Sequence, residues 1–201
     1  VFIGGCCGTT PDHIKAMADA CRMIPIKPVE KKNFTMVSSY GQSVFLGTGS
    51  KIIGERINPT GKKRFKQALK EHDLDYILRE GITQQDNGAH ILDVNVGLPD
   101  IDEPALMKEV VQELQSVTSL PLQIDTVDVE AMEGALRIYN GKAMVNSVSG
   151  KQESMDKVFP LIQKYGGVVI GLALDENGIP ADAEGRVQVA KKIIAEAAKY
   201  G

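Results

Sequence analysis

Ile91-Leu92-Asp93-Val94-Asn95 is the stretch on which the fold turns. It lies in an apolar run, Ala89–Asn95, that reads as a strand and ends in an acid and an amide. The chain then changes period. Over about 103–117, Leu106, Met107, Val110, Val111, Leu114 and Val117 recur at helical spacing between charges, so an amphipathic helix follows the strand.

The same unit repeats on both sides. Lys51–Ile57 reads as a strand, with helical stretches over about 62–71 and 74–88. Leu120–Asp125 and Lys142–Asn146 are strands followed by helices over about 128–139 and 153–165. Gly167–Leu174 is a strand, and a last helix runs from about 182. Strands alternating with amphipathic helices imply a parallel sheet with right-handed crossovers, an α/β fold. The first turn, Ile53-Gly54-Glu55-Arg56-Ile57-Asn58-Pro59, lacks the spaced glycines of a dinucleotide-binding turn, so a TIM-type βα barrel outranks a doubly wound sheet. Such barrels typically take about 250 residues. Five units are visible after Lys51, so the barrel reads as incomplete within this stretch, and with an unpaired edge the stretch by itself is expected to be inactive.

Bulk properties exclude several classes. The chain has 201 residues, 43% of them hydrophobic, and a formal net charge of −3, an ordinary globular profile. Mild acidity gives no basic footprint for nucleic acid. No apolar run approaches the roughly 20 residues of a membrane helix, and Val1-Phe2-Ile3-Gly4-Gly5 is not a secretory leader. Three cysteines, two of them adjacent, do not make a disulfide scaffold, so the compartment reads as reducing and cytoplasmic. Both ends read as cut.

Before the barrel, Val1–Gly5 reads as a short strand. Thr10-Pro11 opens a helix with Ile14, Met17, Ala18, Cys21 and Ile24 on one face, expected to be buried. Residues 25–50, with two prolines and several Ser and Gly, read mainly as an interdomain connection, although Phe34–Phe45 could include short strands.

In βα barrels the reactive groups stand at the C-terminal ends of the strands. Those positions hold Glu55 and Asn58, Asp93 and Asn95, Asp125, then Asn146, and Asp175 after the fifth strand. Two readings stand. These residues cap helices and shape turns, or they form a ring of acids and amides suited to a planar heterocycle rich in N–H donors and ring nitrogens. Asp175-Glu176-Asn177-Gly178 reads as a turn. The set offers no nucleophile beside a base and no His cluster, so it looks like a binding and positioning site.

The motifs Ile53–Pro59, Asp93-Val94-Asn95-Val96-Gly97, Ile124-Asp125-Thr126 and Val145-Asn146-Ser147-Val148-Ser149-Gly150 resemble the pterin-binding barrel family. The Glu-Arg-Ile-Asn form of the first motif is closer to the family's methyltransferases than to its dihydropteroate synthases. The resemblance covers residues 51–201. It implies that Asp93, Asp125 and Asn146 hydrogen-bond the pterin ring, with Asn95, Glu55 and Asn58 nearby, and that 5-methyltetrahydrofolate gives its N5 methyl group to cobalamin bound by another domain. The activating group at N5 lies on strands this stretch lacks.

Gly4-Gly5-Cys6-Cys7-Gly8-Thr9-Thr10-Pro11 reads either as two small core thiols or as half of a metal site. It resembles the last strand of homocysteine-binding methyltransferase barrels. That likeness implies zinc held by Cys6, Cys7 and an earlier third cysteine, with the fourth position left for the homocysteine thiol. Cys21, on the apolar helix face, reads as core, and His13 as solvated. A zinc-cysteine barrel end (1–24), a connection (25–50) and a pterin barrel (51–201) is the layout of the cobalamin-dependent methionine synthase family. Its implied reaction is methyl transfer from methyltetrahydrofolate through cobalamin to homocysteine. Two alternatives are a dihydropteroate synthase-like condensing enzyme and a non-catalytic folate-binding module. Lys62, Lys63, Arg64, Lys66 and Lys70 make a basic first helix that could attract an anionic folate tail or simply face water.

Overall fold

The computed structural model describes residues 3–28 and 33–201, in two compact units divided after Asn33. In the first unit, helix α1 spans Pro11–Cys21, with Thr10 as N-cap and Pro at the start. The Thr10 amide donates to His13 Nδ1 at 3.1 Å, so His13 serves the helix entry. Val1 and Phe2 of the expected first strand lie outside the described residues. Ile3, Gly4 and Gly5 make no strand pairing among the described residues. The apolar stripe of α1 is present but not buried: no residue of the helix is buried, and Ile14 and Ile24 are exposed. Among the described residues of its unit this short helix has no second element to pack against, so the periodicity marks a face without covering it.

The second unit begins with a hairpin rather than a plain connection. Strands β1 (Thr35–Ser38) and β2 (Ser43–Leu46) pair antiparallel. A parallel sheet follows, of β3 (Ile53–Ile57), β4 (Ile91–Val94), β5 (Leu122–Asp125), β6 (Met144–Ser149) and β7 (Val168–Leu172). Its five strands lie in chain order and do not close into a ring. The intervening helices are α2 (Lys63–Glu71), α3 (Leu74–Asp86), α4 (Glu103–Val117), α5 (Val129–Ile138) and α6 (Gln152–Tyr165), with α7 (Ala183–Ala197) after β7.

Alternation along each strand sorts the two faces of the sheet. Leu92 and Val94, Leu122 and Ile124, and Val145 join the helices in one apolar core. Ile91 and Met144, of the opposite parity, pack instead against Val37 and Val44 of the hairpin, with Leu46, Val168 and Ile170 alongside. Helices therefore cover one face only, as in a barrel wall, and the hairpin plugs the other face at the N-terminal ends of the strands. Close approaches hold this arrangement. Gly81 of α3 lies where an added Cβ would stand 2.8 Å from Leu114 Cδ2 of α4. The hairpin is tied to the sheet by Ser38, whose amide donates to Lys142 O at 2.9 Å and whose carbonyl accepts from Lys142 N at 3.0 Å. The Tyr139 hydroxyl donates to Ser38 O at 2.8 Å and accepts from Leu122 N at 3.0 Å. Burial pushes that phenol up to about 12. No helix among the described residues is long and apolar enough to cross a membrane.

Candidate functional site

Above the apolar plug, the same sheet face turns polar. Asp93 pairs in register with Gln123, and Asp125 with Asn146, so β4, β5 and β6 present these side chains from neighbouring positions. Asn58, just past β3, reaches both acids: its Nδ2 donates to Asp93 Oδ2 and to Asp125 Oδ2, each at 3.3 Å. Asn95 Nδ2 donates to Asp125 Oδ2 at 3.0 Å. Gln123 Nε2 makes a short hydrogen bond to Asp93 Oδ1. Asp93, Asn58 and Gln123 are almost wholly buried, at 2%, 5% and 5% exposure. Asp125, Asn95 and Asn146 are half-buried. Of the six residues singled out from the sequence, Asn58, Asp93, Asn95 and Asp125 form one hydrogen-bonded network, Asn146 stands level with Asp125, and Glu55 acts on both acids through its charge.

The capping alternative fails for the acids. Asp102 caps α4 by accepting from the Ala105 amide, and Asp128 caps α5 by accepting from the amides of Glu130 and Ala131. Asp93 and Asp125 are left free of that work. Asn58 and Asn95 do both jobs. Their Oδ1 atoms accept from the backbone amides of Thr60 (2.9 Å) and Gly97 (3.0 Å), which fixes each amide so that its NH2 points at the carboxylates. Asp175 is a turn residue: its Oδ1 accepts from Asn177 N, and its backbone pairs with Gly178.

Burial dominates the electrostatics. Desolvation pushes Asp93 up to about 6, with Asp125 and Glu55 adding repulsion, against the opposing hydrogen bonds from Gln123 and Asn58. Asp125 is also raised, first by desolvation and then by Glu55, with Asn95 pulling the other way. The two carboxylates of Asp93 and Asp125 are met by amide donors from Asn58, Asn95 and Gln123, while Glu55 is exposed and adds only its charge. Such a pair accepts N–H donors from a ligand whose own polar edge replaces the lost water.

Sequence reading missed Gln123, although its place two residues before Asp125 puts it on the same face by strand parity. It also missed Glu103, which accepts a hydrogen bond from the Thr126 hydroxyl and ties the loop after β5 to the start of α4. The lysines of α2 remain at the surface: Lys63, Lys66 and Lys70 are exposed, while Arg64 pairs with Asp73 at 2.6 Å.

In the first unit Cys6 and Cys7 are exposed, their sulfurs 3.8 Å apart, and Cys6 is pulled below the ordinary thiol range by hydrogen bonds from Cys7. With Zn–S bonds near 2.3 Å, two sulfurs on one tetrahedral zinc lie about 3.8 Å apart, so this pair fits two corners of such a site. No group of three metal-ligating side chains occurs among the described residues.

Comparison with known proteins follows this division. The family profile described as Homocysteine S-methyltransferase matches residues 1–21. The methionine synthase of Mycobacterium tuberculosis is 31% identical over 205 aligned residues, and that of Mycobacterium leprae 30% over 210. Each alignment covers 96% of this chain, which spans only 17% of the relative's length. Among solved structures, dihydropteroate synthase of Xanthomonas albilineans with 4-aminobenzoic acid superposes with a TM-score of 0.60 at 19% identity, over 85% of this chain and 62% of that one. The 7,8-dihydropteroate synthase of Vibrio fischeri gives 0.54 at 15%, over 83% of this chain and 62% of that one. These likenesses show the fold. The profile described as Pterin binding enzyme matches residues 54–200, the stretch that carries the acid–amide network, and the chain belongs to that family.

Proposed function

We propose that residues 51–201 bind the pterin ring of 5-methyltetrahydrofolate within a methionine synthase, and that residues 1–24 belong to its homocysteine barrel. One observation carries this reading: Asp93 and Asp125, joined through Asn58, sit with Asn95 and Asn146 on a single sheet face at the C-terminal ends of the strands. Ionised carboxylates accept the ring's N–H donors. Asn146, whose amide both donates and accepts, suits the ring's carbonyl and nitrogen edge. Burial at the floor excludes water, so each of these hydrogen bonds discriminates between ligands more sharply than it would in solvent. The chain's residues thus bind and orient the substrate. The group that assists departure of N5 is not among them.

Cys6 and Cys7 would supply two ligands to a zinc ion, which when bound lowers the pKa of the homocysteine thiol and holds it as a thiolate. Cobalamin, carried by another domain or protein, supplies the methyl acceptor. The free thiols suit a reducing, cytoplasmic compartment. A dihydropteroate synthase-like condensation is the weaker reading, since the first 21 residues match a homocysteine methyltransferase profile. The test is methyl transfer from 5-methyltetrahydrofolate to added cob(I)alamin by the full-length protein, followed by absorbance. Transfer abolished by Asp125→Asn supports the reading. Folate binding without any transfer by the wild type would favour a non-catalytic module, and no binding would end it.

A further inference from the structure

Gln123 occupies a position that folding alone would give to an apolar side chain. It faces the interior side of β5, beside Met144 of β6 in register and close above the apolar plug formed by Ile91, Met144 and the hairpin. A methionine would fit that layer. Instead the chain buries an amide there, 5% exposed, and satisfies only half of it. Nε2 donates to Asp93 Oδ1, while Oε1 is fully buried with no hydrogen-bond partner. Buried polar groups are usually paired, and an orphaned carbonyl is costly to keep. Among the described residues it is the one buried side-chain polar atom left in this state.

What the amide gives in return is the orientation of Asp93. Asn58 also touches Asp93, but at 3.3 Å, and it shares the same NH2 group with Asp125. Gln123 is the undivided contact, made from the adjacent strand at the paired register position. With Oδ1 held by Gln123, the carboxylate cannot rotate freely, and Oδ2 is kept on the Asn58 side, where the half-buried members of the network lie.

We propose that Gln123 is a positioning residue of the pterin site, clamping the Asp93 carboxylate so that it accepts N–H donors from the ring in one fixed orientation. This rests on the reading of the site given above. The charged groups acting on Asp93 are Asp125 from β5 and Glu55 from β3, both acids, which together with burial favour its protonated form. Gln123 opposes that pressure by stabilising the ionised form. Its loss therefore moves the protonation of Asp93 to higher pH, and with it the pH below which a carboxylate-dependent ligand is released.

The test measures binding of 5-methyltetrahydrofolate to the full-length protein from pH 5 to 8.5, for wild type, Gln123→Met and Gln123→Glu, with melting temperatures alongside. Gln123→Met should melt no lower than wild type at pH 5, where Asp93 is largely protonated and the orphaned oxygen is gone, and lower at pH 8, where the charged carboxylate has lost a donor. Its affinity at pH 7 should fall at least tenfold, and the midpoint of its pH dependence should rise by about one unit, the worth of one hydrogen bond to a charged group. Gln123→Glu keeps the size but sets a second carboxyl against Asp93, so its midpoint should rise further. It decides the matter if the methionine variant does not fold. Wild-type binding with both folded variants within twofold of it overturns the role of Gln123 and leaves the pterin site standing. A weakened variant with an unmoved midpoint also overturns it, since that marks a structural residue. No binding by the wild type removes the pterin site itself, and this inference with it.

Discussion

Asp93→Asn should make the protein more stable at pH 8 and no more stable at pH 4. The native carboxyl is 2% exposed and titrates at about 6 instead of the ordinary 3.8, chiefly because burial penalises its charge. A rise of that size corresponds to about 3 kcal/mol in favour of the neutral form. Screening through the open face of the sheet brings the usable figure to about 2 kcal/mol. The sign follows from linkage: a raised carboxyl stabilises the fold fully below pH 3.8, and that contribution is lost as pH rises through 6. The amide has no charge to bury at any pH. Gln123 can turn its Oε1 to accept from the new NH2, which leaves one amide atom unpaired as before, now Nε2 in place of Oε1. Urea denaturation of wild type and variant at intervals from pH 4 to 8 measures the difference directly, because the other titrating groups are common to both. A gap opening to about 2 kcal/mol across pH 4 to 7 is expected. A flat difference, or a variant less stable at pH 8, would refute the assignment of Asp93 as a buried acid held charged at the expense of stability.

Other perturbations probe the frame. Tyr139→Phe removes the hydroxyl shared by Leu122 N and Ser38 O, leaving a buried amide unpaired, and should cost about 1–3 kcal/mol in chemical denaturation while sparing ligand binding. Gly54→Ala places a Cβ 2.6 Å from Gln84 Oε1, which accepts from the Arg56 amide at 2.7 Å. Overpacking of that kind costs about 1–3 kcal/mol and should lower the melting temperature measurably. Asn58→Ala removes the donor shared by the two aspartates, and should weaken methyltetrahydrofolate binding more at pH 6 than at pH 8, read by calorimetry. Cys6→Ser or Cys7→Ser in the full-length protein should abolish stoichiometric zinc, measured by metal analysis, without changing pterin affinity.

Much of the fold is written in two periods. Alternation in Ile91–Val94 and Leu122–Asp125 and the stripe over 103–117 declare strands and a helix that the structure reproduces closely. The same parity that sends Leu92 and Val94 to the helices sends Asp93 to the opposite face, which is why most of the acid–amide network was visible. The hairpin is legible only as short strands within Phe34–Phe45; its pairing and its seat on the sheet are not. Its strands have four residues each, in a stretch rich in Ser and Gly, and their anchors are Lys142 and Tyr139, about a hundred positions away. No local pattern encodes such a contact. Gln123 escaped for another reason: a glutamine carries no distinctive motif, and its weight comes from an oxygen left unpaired and a carboxylate held in place. The stripe of α1 shows the converse, a legible apolar face with no buried residue.

The most direct measurement is a crystal structure of the full-length protein with 5-methyltetrahydrofolate bound. Electron density for the pterin ring is expected against Asp93, Asp125 and Asn146, its N–H edge within hydrogen-bonding distance of the two carboxylates. A ring bound elsewhere, with the Asn58-bridged acids making no contact to it, would contradict the pterin site at its root.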